Sequence, residues 1–364
     1  MRDPLESIKT NVRDMRPYSL RFEPAPVKLN QNENPWDMPI EIKQETFRRL
    51  QDRAWSRYPE FVPSNLISRL AEFSGWTADG TLVGNGSNEL IQALLMVTVS
   101  EGKRVLISEP TFALYRQVAT LLGAEVVSVP LSQDLIYDVN ALEAATESLK
   151  PDVTIICSPN NPTGCTISLR DLVSLIEASN GLVVVDEAYF EFAGETAVPL
   201  LRQHQNLVVL RTFSKALAMA ALRVGYLLTT PELAREISKA LLPYNVNFFS
   251  QTAAAVAIEM YDAKLKPLVT LILAERDRVF GELRCIPGLE PVTSRANFMV
   301  VRSAIEPRRV FDRLLKRGIL IRDVTGYPML QDYFRIGVGT PEENDLLLKS
   351  LQEIFAHDRI VRDL

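Results

Sequence analysis

A lysine, an aspartate, a tyrosine and a glycine-serine turn stand where a protein core would not choose them. Lys215 is the only lysine between residues 151 and 238, flanked by Thr212-Phe213-Ser214 and by Ala216-Leu217-Ala218-Met219-Ala220-Ala221-Leu222. An amine in such apolar company loses its preference for the charged form and can attack a carbonyl to form a Schiff base. Taken alone, Lys215 reads better as a helix-start lysine snorkelling to water. Asp186 follows Leu182-Val183-Val184-Val185, where a carboxylate is costly unless paired. It could keep a pyridinium nitrogen protonated, or simply cap a turn. Tyr189 could donate to a phenolate oxygen or pack as a core aromatic. Gly86-Ser87-Asn88 opens a helical pattern, and main-chain N–H groups at a helix start bind anions, with glycine permitting close approach. Ser214 and Arg223 would complete a phosphate cup; Arg223 is the only charged residue between Lys215 and Glu232.

What is missing narrows the chemistry further. The 364 residues include two histidines, His204 and His357, neither near another candidate ligand or nucleophile. That leaves no basis for a Ser/His/Asp triad, a Cys/His pair or a histidine metal site. Proton transfer falls to Lys, Asp, Glu, Tyr or a cofactor, and no metal is expected. The three cysteines lack CxxC spacing, which suits a reducing compartment. A net charge of -5 argues against nucleic-acid binding and gives no support for a polybasic membrane anchor. The first residues, MRDPLESIKT, contain no apolar signal region. The expectation is a soluble, cytoplasmic protein.

Seven short apolar runs position these residues: 81–83, 104–107, 125–129, 153–157, 182–185, 207–210 and 224–228. Their two-sided apolarity predicts strands of a mostly parallel sheet, with helical patterns such as 89–99, 113–122 and 169–178 between them. The expected fold is α/β: a three-layer large domain with a mainly parallel seven-stranded sheet, plus a small α+β domain. Residues 1–30 read as an extended arm belonging with the small domain, 31–265 as the large domain and 266–364 as the small one. A long helix over 266–283 bridges the two. Strands are predicted over 296–301, 319–321 and 334–338, and a helix over 308–316. In an open α/β sheet, ligands bind beyond the carboxyl ends of the strands. The polar clusters follow four of these runs.

A phosphate cup, a partner for a protonated ring nitrogen and an amine for a carbonyl together call for pyridoxal phosphate (PLP). Ser158-Pro159-Asn160-Asn161-Pro162-Thr163-Gly164, Asp186 to Tyr189, and Ser214-Lys215 followed by Arg223 resemble the fold-type I PLP aminotransferases in order and spacing. Leu29-Asn30-Gln31-Asn32-Glu33-Asn34-Pro35, Arg57-Tyr58-Pro59-Glu60 and Phe334-Arg335-Ile336-Gly337-Val338-Gly339-Thr340 are similar to their histidinol-phosphate branch. The resemblance implies that Lys215 carries the cofactor and shuttles the proton. It also implies that Asp186 holds the ring nitrogen, and that Asn161 and Tyr189 bond the ring oxygen. Phe112 would stack on the ring, where some relatives have tyrosine, and Asn88 replaces an acidic residue of some relatives. Gly86, Ser87, Ser214 and Arg223 would hold the phosphate, and Tyr58 would reach the phosphate of the neighbouring subunit of a homodimer.

For the substrate, the resemblance points to Arg335 as an anion-binding arginine, with Arg322 helping it hold a phosphate and Tyr18 lining the pocket. Two arginines suit a phosphate dianion, though an ion pair with Asp323 would serve Arg322 nearly as well. The implied reaction is transamination of histidinol phosphate with 2-oxoglutarate, in histidine biosynthesis. An aromatic amino-acid aminotransferase and a PLP-dependent decarboxylase of threonine phosphate are the alternatives.

Overall fold

The computed structural model describes residues 3–17 and 23–362. All seven apolar runs form strands of one sheet: β1 Thr81–Gly84, β2 Arg104–Glu109, β3 Glu125–Pro130, β4 Val153–Cys157, β5 Leu182–Asp186, β6 Leu207–Thr212 and β7 Gly225–Leu228. Their order across the sheet is β1-β7-β6-β5-β4-β2-β3. Six strands run parallel, and β7 runs against both its neighbours. The reversal has a consequence for Arg223. It precedes β7, yet lies at the same sheet edge as residues that follow the carboxyl ends of β1, β4, β5 and β6.

The strands are apolar throughout because both faces are covered. Every residue of β4 and β6 is buried. One apolar cluster on one face includes Leu106, Ile156, Val185 and Val209, and another on the opposite face includes Val105, Ile155, Val184 and Leu210. Successive residues of one strand thus enter opposite layers, as the period of two requires. The three-layer α/β arrangement is the one expected.

A second, antiparallel sheet is built from β8 Leu289–Pro291, β9 Phe298–Ser303, β10 Arg322–Asp323 and β11 Tyr333–Gly337, in the order β10-β11-β9-β8. It has its own apolar cluster, including Met299, Val301, Phe334 and Leu351. The helix Lys266–Arg284 contributes to both cores: Val269 and Ile272 to the large one, Val279 and Leu283 to the second.

The structure departs from expectation in two places. The segment read as an extended arm contains two short helical turns, Pro4–Ser7 and Thr10–Arg13. Asn11 Nδ2 donates to Thr120 O at 2.6 Å, so this part is tied to the large sheet's helical layer. The end of the segment joins the second unit: Val27–Lys28 pairs with Ile319–Leu320, and Leu29 bonds to Leu320 and Gly337. The expected strand over 319–321 is divided: Ile319–Leu320 pairs with this arm, while Arg322–Asp323 turns into the other sheet.

A buried ion pair ties β5 to β6. Arg211 on β6 meets Glu187, just after β5, at 2.9 Å, and both side chains are almost wholly buried. Glu187 also accepts from Thr196 Oγ1 and Ala197 N, and the guanidinium lies 3.6 Å from the Phe190 ring centre. Removing one partner strands the other charge. Arg211→Ala should therefore lower unfolding free energy by about 3–5 kcal/mol in urea titrations. A loss below about 1 kcal/mol, the usual size for a surface pair, would contradict the pair's structural role.

Candidate active site

A cleft of about 490 Å³ opens at the carboxyl ends of the parallel strands. Its wall includes Lys215, Asp186, Tyr189, Asn161 and Phe112. It also includes Ser87, Asn88, Ser214, Arg223, Arg322 and Arg335. The strand-end clusters thus converge on one place, as the sheet topology requires.

Asp186 ends β5 and is 3 % exposed. Burial raises its carboxyl to about 6, against the pull of two donors: Tyr115 Oη at 2.6 Å on one oxygen and Ala188 N at 3.0 Å on the other. Lys215 follows β6, and its Nζ donates to the main-chain oxygen of Gln31 at 2.8 Å. Desolvation, then the nearby Arg335 charge, lowers the amine to about 7; Glu33 acts weakly the other way. An amine whose ordinary value is 10.5 is thereby poised to hold or release a proton near neutrality.

The anion-binding end is assembled by a helix start and a reversed strand. Gly86 takes φ 79° ahead of the helix Ser87–Thr98, whose start no side chain caps. The first-turn N–H groups are therefore available to an anion. A Cβ on Gly86 would collide with the Arg223 guanidinium, and one on Gly225 with the Ser87 amide. Both glycines are required by close approach around this cradle. Arg223, itself left-handed at φ 54°, donates to Ser214 Oγ at 3.2 Å.

Arg335 on β11 donates to Asn161 Oδ1 at 2.6 Å and to Asn30 O at 2.7 Å. Asn161 Nδ2 in turn donates to Tyr189 Oη at 3.3 Å. Arg322 on β10 lines the same cleft, and the Asp323 pairing weighed for it is not made. Asp323 faces Arg308 at 3.5 Å, and Arg322 makes no ion pair among the described residues. Tyr58 lies away from the cleft, 79 % exposed and stacked on Tyr244 at 4.5 Å between ring centres. Tyr18 falls outside the described residues.

Tyr115 was not singled out in the sequence. Its only signal is a place three residues after Phe112 at the start of the helix Leu114–Leu122, on a face that reads as core. Burial pushes its phenol well above the ordinary range, so it stays a neutral donor to Asp186. Among the described residues no cluster of His, Cys, Asp and Glu could hold a metal, and no helix is long and apolar enough to cross a membrane.

The donor set fits PLP on the structure's own terms. Arg223, Arg335 and Arg322 concentrate positive charge in one cleft, with a glycine cradle and an uncapped helix start for a phosphate. The buried carboxylate of Asp186 suits a cationic ring nitrogen, and Lys215 supplies a neutral amine for an aldehyde.

Comparison with known proteins agrees. The family model for aminotransferase class I and II matches residues 24–351. The chain is 38 % identical to the histidinol-phosphate aminotransferase of Chlorobium phaeovibrioides, over 97 % of this chain and 98 % of that protein. The histidinol-phosphate aminotransferase of Sinorhizobium meliloti, solved in complex with pyridoxal-5'-phosphate, superposes with a TM-score of 0.86 at 25 % identity. That match covers 96 % of this chain and 98 % of the other. The L-threonine-O-3-phosphate decarboxylase of Porphyromonas gingivalis shares the fold, with a TM-score of 0.80 at 22 % identity over 90 % of this chain and 99 % of the other. Sequence and site together place this protein in one family: the chain belongs to the class I and II aminotransferases.

Proposed function

We propose that this protein transfers the amino group of L-histidinol phosphate to 2-oxoglutarate, yielding imidazole acetol phosphate and glutamate in histidine biosynthesis. The observation that carries this reading is the pairing of a catalytic set with two arginines, Arg322 and Arg335, in one cleft. One guanidinium suffices for the carboxylate of an oxo acid, whereas a phosphate dianion is well served by two. The names of the relatives point the same way.

Pyridoxal phosphate, once bound, would supply the electron sink that makes the substrate's α-proton acidic. The chain's own residues do the rest. Ser87, Ser214, Arg223 and the helix start hold the cofactor phosphate, with Asn88 alongside. Asp186, kept available by Tyr115, holds the proton on the ring nitrogen. Asn161 and Tyr189 address the ring oxygen, and Phe112 covers a ring face. Lys215 Nζ would carry the proton from the substrate's α-carbon to the carbon of the cofactor that bore the aldehyde. Arg335, anchored by Asn30 and Asn161, and Arg322 receive the substrate anion.

We also propose that the protein acts as a homodimer. Trp55, Tyr58, Phe61 and Leu242 are each more than 60 % exposed, and Tyr58 and Phe61 both pack on Tyr244, an exposed aromatic cluster of the kind that marks an interface. A second copy would cover it and bring Tyr58 to the partner's phosphate cradle. The separate cores favour residues 31–265 and 266–364 as two units, with part of 1–30 attached to the second. Three free cysteines suit the reducing cytoplasm.

A substrate panel tests the reaction. Purified protein with PLP and 2-oxoglutarate should form glutamate fastest from histidinol phosphate. Preference for phenylalanine or tyrosine would indicate an aromatic aminotransferase, and carbon dioxide release from threonine phosphate a decarboxylase.

Arg322→Ala should raise KM for histidinol phosphate about 10- to 100-fold, the worth of a charge-assisted bond, and that for 2-oxoglutarate much less. Equal rises would show that Arg322 serves both substrates. In cofactor-free protein, acylation of Lys215 should proceed at full rate above about pH 7 and fall tenfold per unit below it. A rate still climbing through pH 9 would show that the amine is not shifted.

A further inference from the structure

The segment Asn30-Gln31-Asn32-Glu33-Asn34 is distant in sequence from the lysine, the tyrosine and the arginine of the site, yet it touches all of them. Asn30 O accepts from Arg335, Gln31 O from Lys215, and Asn34 Nδ2 donates to Ala216 O at 3.1 Å. Asn32 reaches the site with its side chain: its Nδ2 donates to Tyr189 Oη at 3.1 Å. Asn32 is 2 % exposed and held in the left-handed region at φ 56°. Its carbonyl accepts from Asn297 Nδ2 at 3.1 Å. A strained, buried backbone position fixes where the side chain reaches, and with Oδ1 left without a partner among the described residues the amide's one bond is the one from Nδ2 to Tyr189.

A phenol oxygen has two lone pairs and one hydrogen. At Tyr189 both lone pairs are engaged, by Asn32 Nδ2 at 3.1 Å and by Asn161 Nδ2 at 3.3 Å. The Asn161 amide cannot turn round, because its oxygen is held by Arg335 at 2.6 Å. The Tyr189 ring is packed edge-on against Phe298, with centres 5.0 Å apart. What is left to the hydroxyl is its hydrogen, and the open space it borders is the cleft.

We propose that Asn32 is a positioning residue for amino transfer: by donating to Tyr189 Oη it commits the tyrosine's hydrogen to the cleft, as donor to the cofactor's ring oxygen. This rests on the PLP reading above. Burial holds the Tyr189 phenol well above its ordinary range, against the pull of Arg335 and the Asn32 bond, so the hydroxyl keeps its hydrogen. The Lys215 amine stands 5.8 Å from the ring centre.

The test is a pH titration of the visible absorption of PLP-loaded protein, comparing wild type with Asn32→Asp, Asn32→Gly, Tyr189→Phe and the Asn32→Gly/Tyr189→Phe double variant. Losing a donor leaves negative charge on the ring oxygen less stabilised, so the neighbouring proton is held more tightly and the midpoint rises. Tyr189→Phe should raise it by about half to one pH unit, the worth of one hydrogen bond. Asn32→Asp keeps the shape but replaces donor by acceptor. It draws the tyrosine's hydrogen away and should shift the midpoint at least as far. Asn32→Gly tolerates the left-handed backbone and should shift it less. The double variant should move no further than Tyr189→Phe alone, because the two act through one bond.

An unchanged midpoint in Asn32→Asp, or additive shifts in the double variant, would overturn the proposal. So would a fall in thermal stability with no optical shift, the mark of a purely structural asparagine. Should Asn32→Asp not fold, the glycine cycle decides alone. Absence of any cofactor band in wild type would instead overturn the PLP reading on which the assignment stands.

Discussion

A lysine amine serves as a base near neutral pH only if something denies it its usual proton. Here the denial comes first from desolvation and then from the Arg335 guanidinium, with Arg223 adding less; against the pull of Glu33 they lower Lys215 to about 7. Much of the architecture exists to hold these like charges within one cleft. Arg335 is anchored by a main-chain oxygen and an asparagine, and Arg223 by Ser214 Oγ and Ala220 O. The electrostatic cost is one that anionic ligands would relieve, so the same strain that activates the lysine also favours binding.

Asp186 faces the opposite problem. Burial raises it to about 6, and Tyr115 and Ala188 limit the rise by stabilising the ionised form. The two groups therefore pull the stability of the cofactor-free chain in opposite directions with pH. Lys215 binds its proton less readily when folded, so its contribution to stability rises with pH from about 7 to lysine's ordinary range near 10.5. Asp186 binds its proton more readily when folded, so its contribution falls as pH rises from about 4 to about 6. Between about 6 and 7 the folded state bears both penalties. A cofactor that accepts a bond to one and an ion pair to the other would remove both.

The large sheet and the strand-end clusters were legible in the sequence because both depend on residues close together in the chain. A buried strand announces itself by its own apolar run, and Asp186 and Lys215 each follow such a run. Tyr115 as a site residue, and the role of Asn32 within a motif already placed near the site, were not legible for the opposite reason. Tyr115 reaches Asp186 across 71 residues and Asn32 reaches Tyr189 across 157. A tyrosine on an apolar helical face or an asparagine in a loop has no local signature of such a partner. The extended reading of residues 1–30 failed because four-residue helical turns are too short to show a period.

The segment 30–34 shows how little chain is needed to couple separate functions. Its carbonyls at 30 and 31 take the Arg335 guanidinium and the Lys215 amine, while the Asn32 side chain takes Tyr189 beside them. Main-chain acceptors cannot be removed by a side-chain change. The segment's position, not its composition, controls two of these three contacts. Val27–Lys28 on one side pairs with Ile319–Leu320, and the carbonyl of Leu29 accepts from Gly337 N at 2.7 Å. Movement of the second unit would therefore carry this segment with it. An anion drawn onto Arg335 would act on the lysine and on the ring-oxygen donor through one short stretch of backbone, with no need for a longer path through the core.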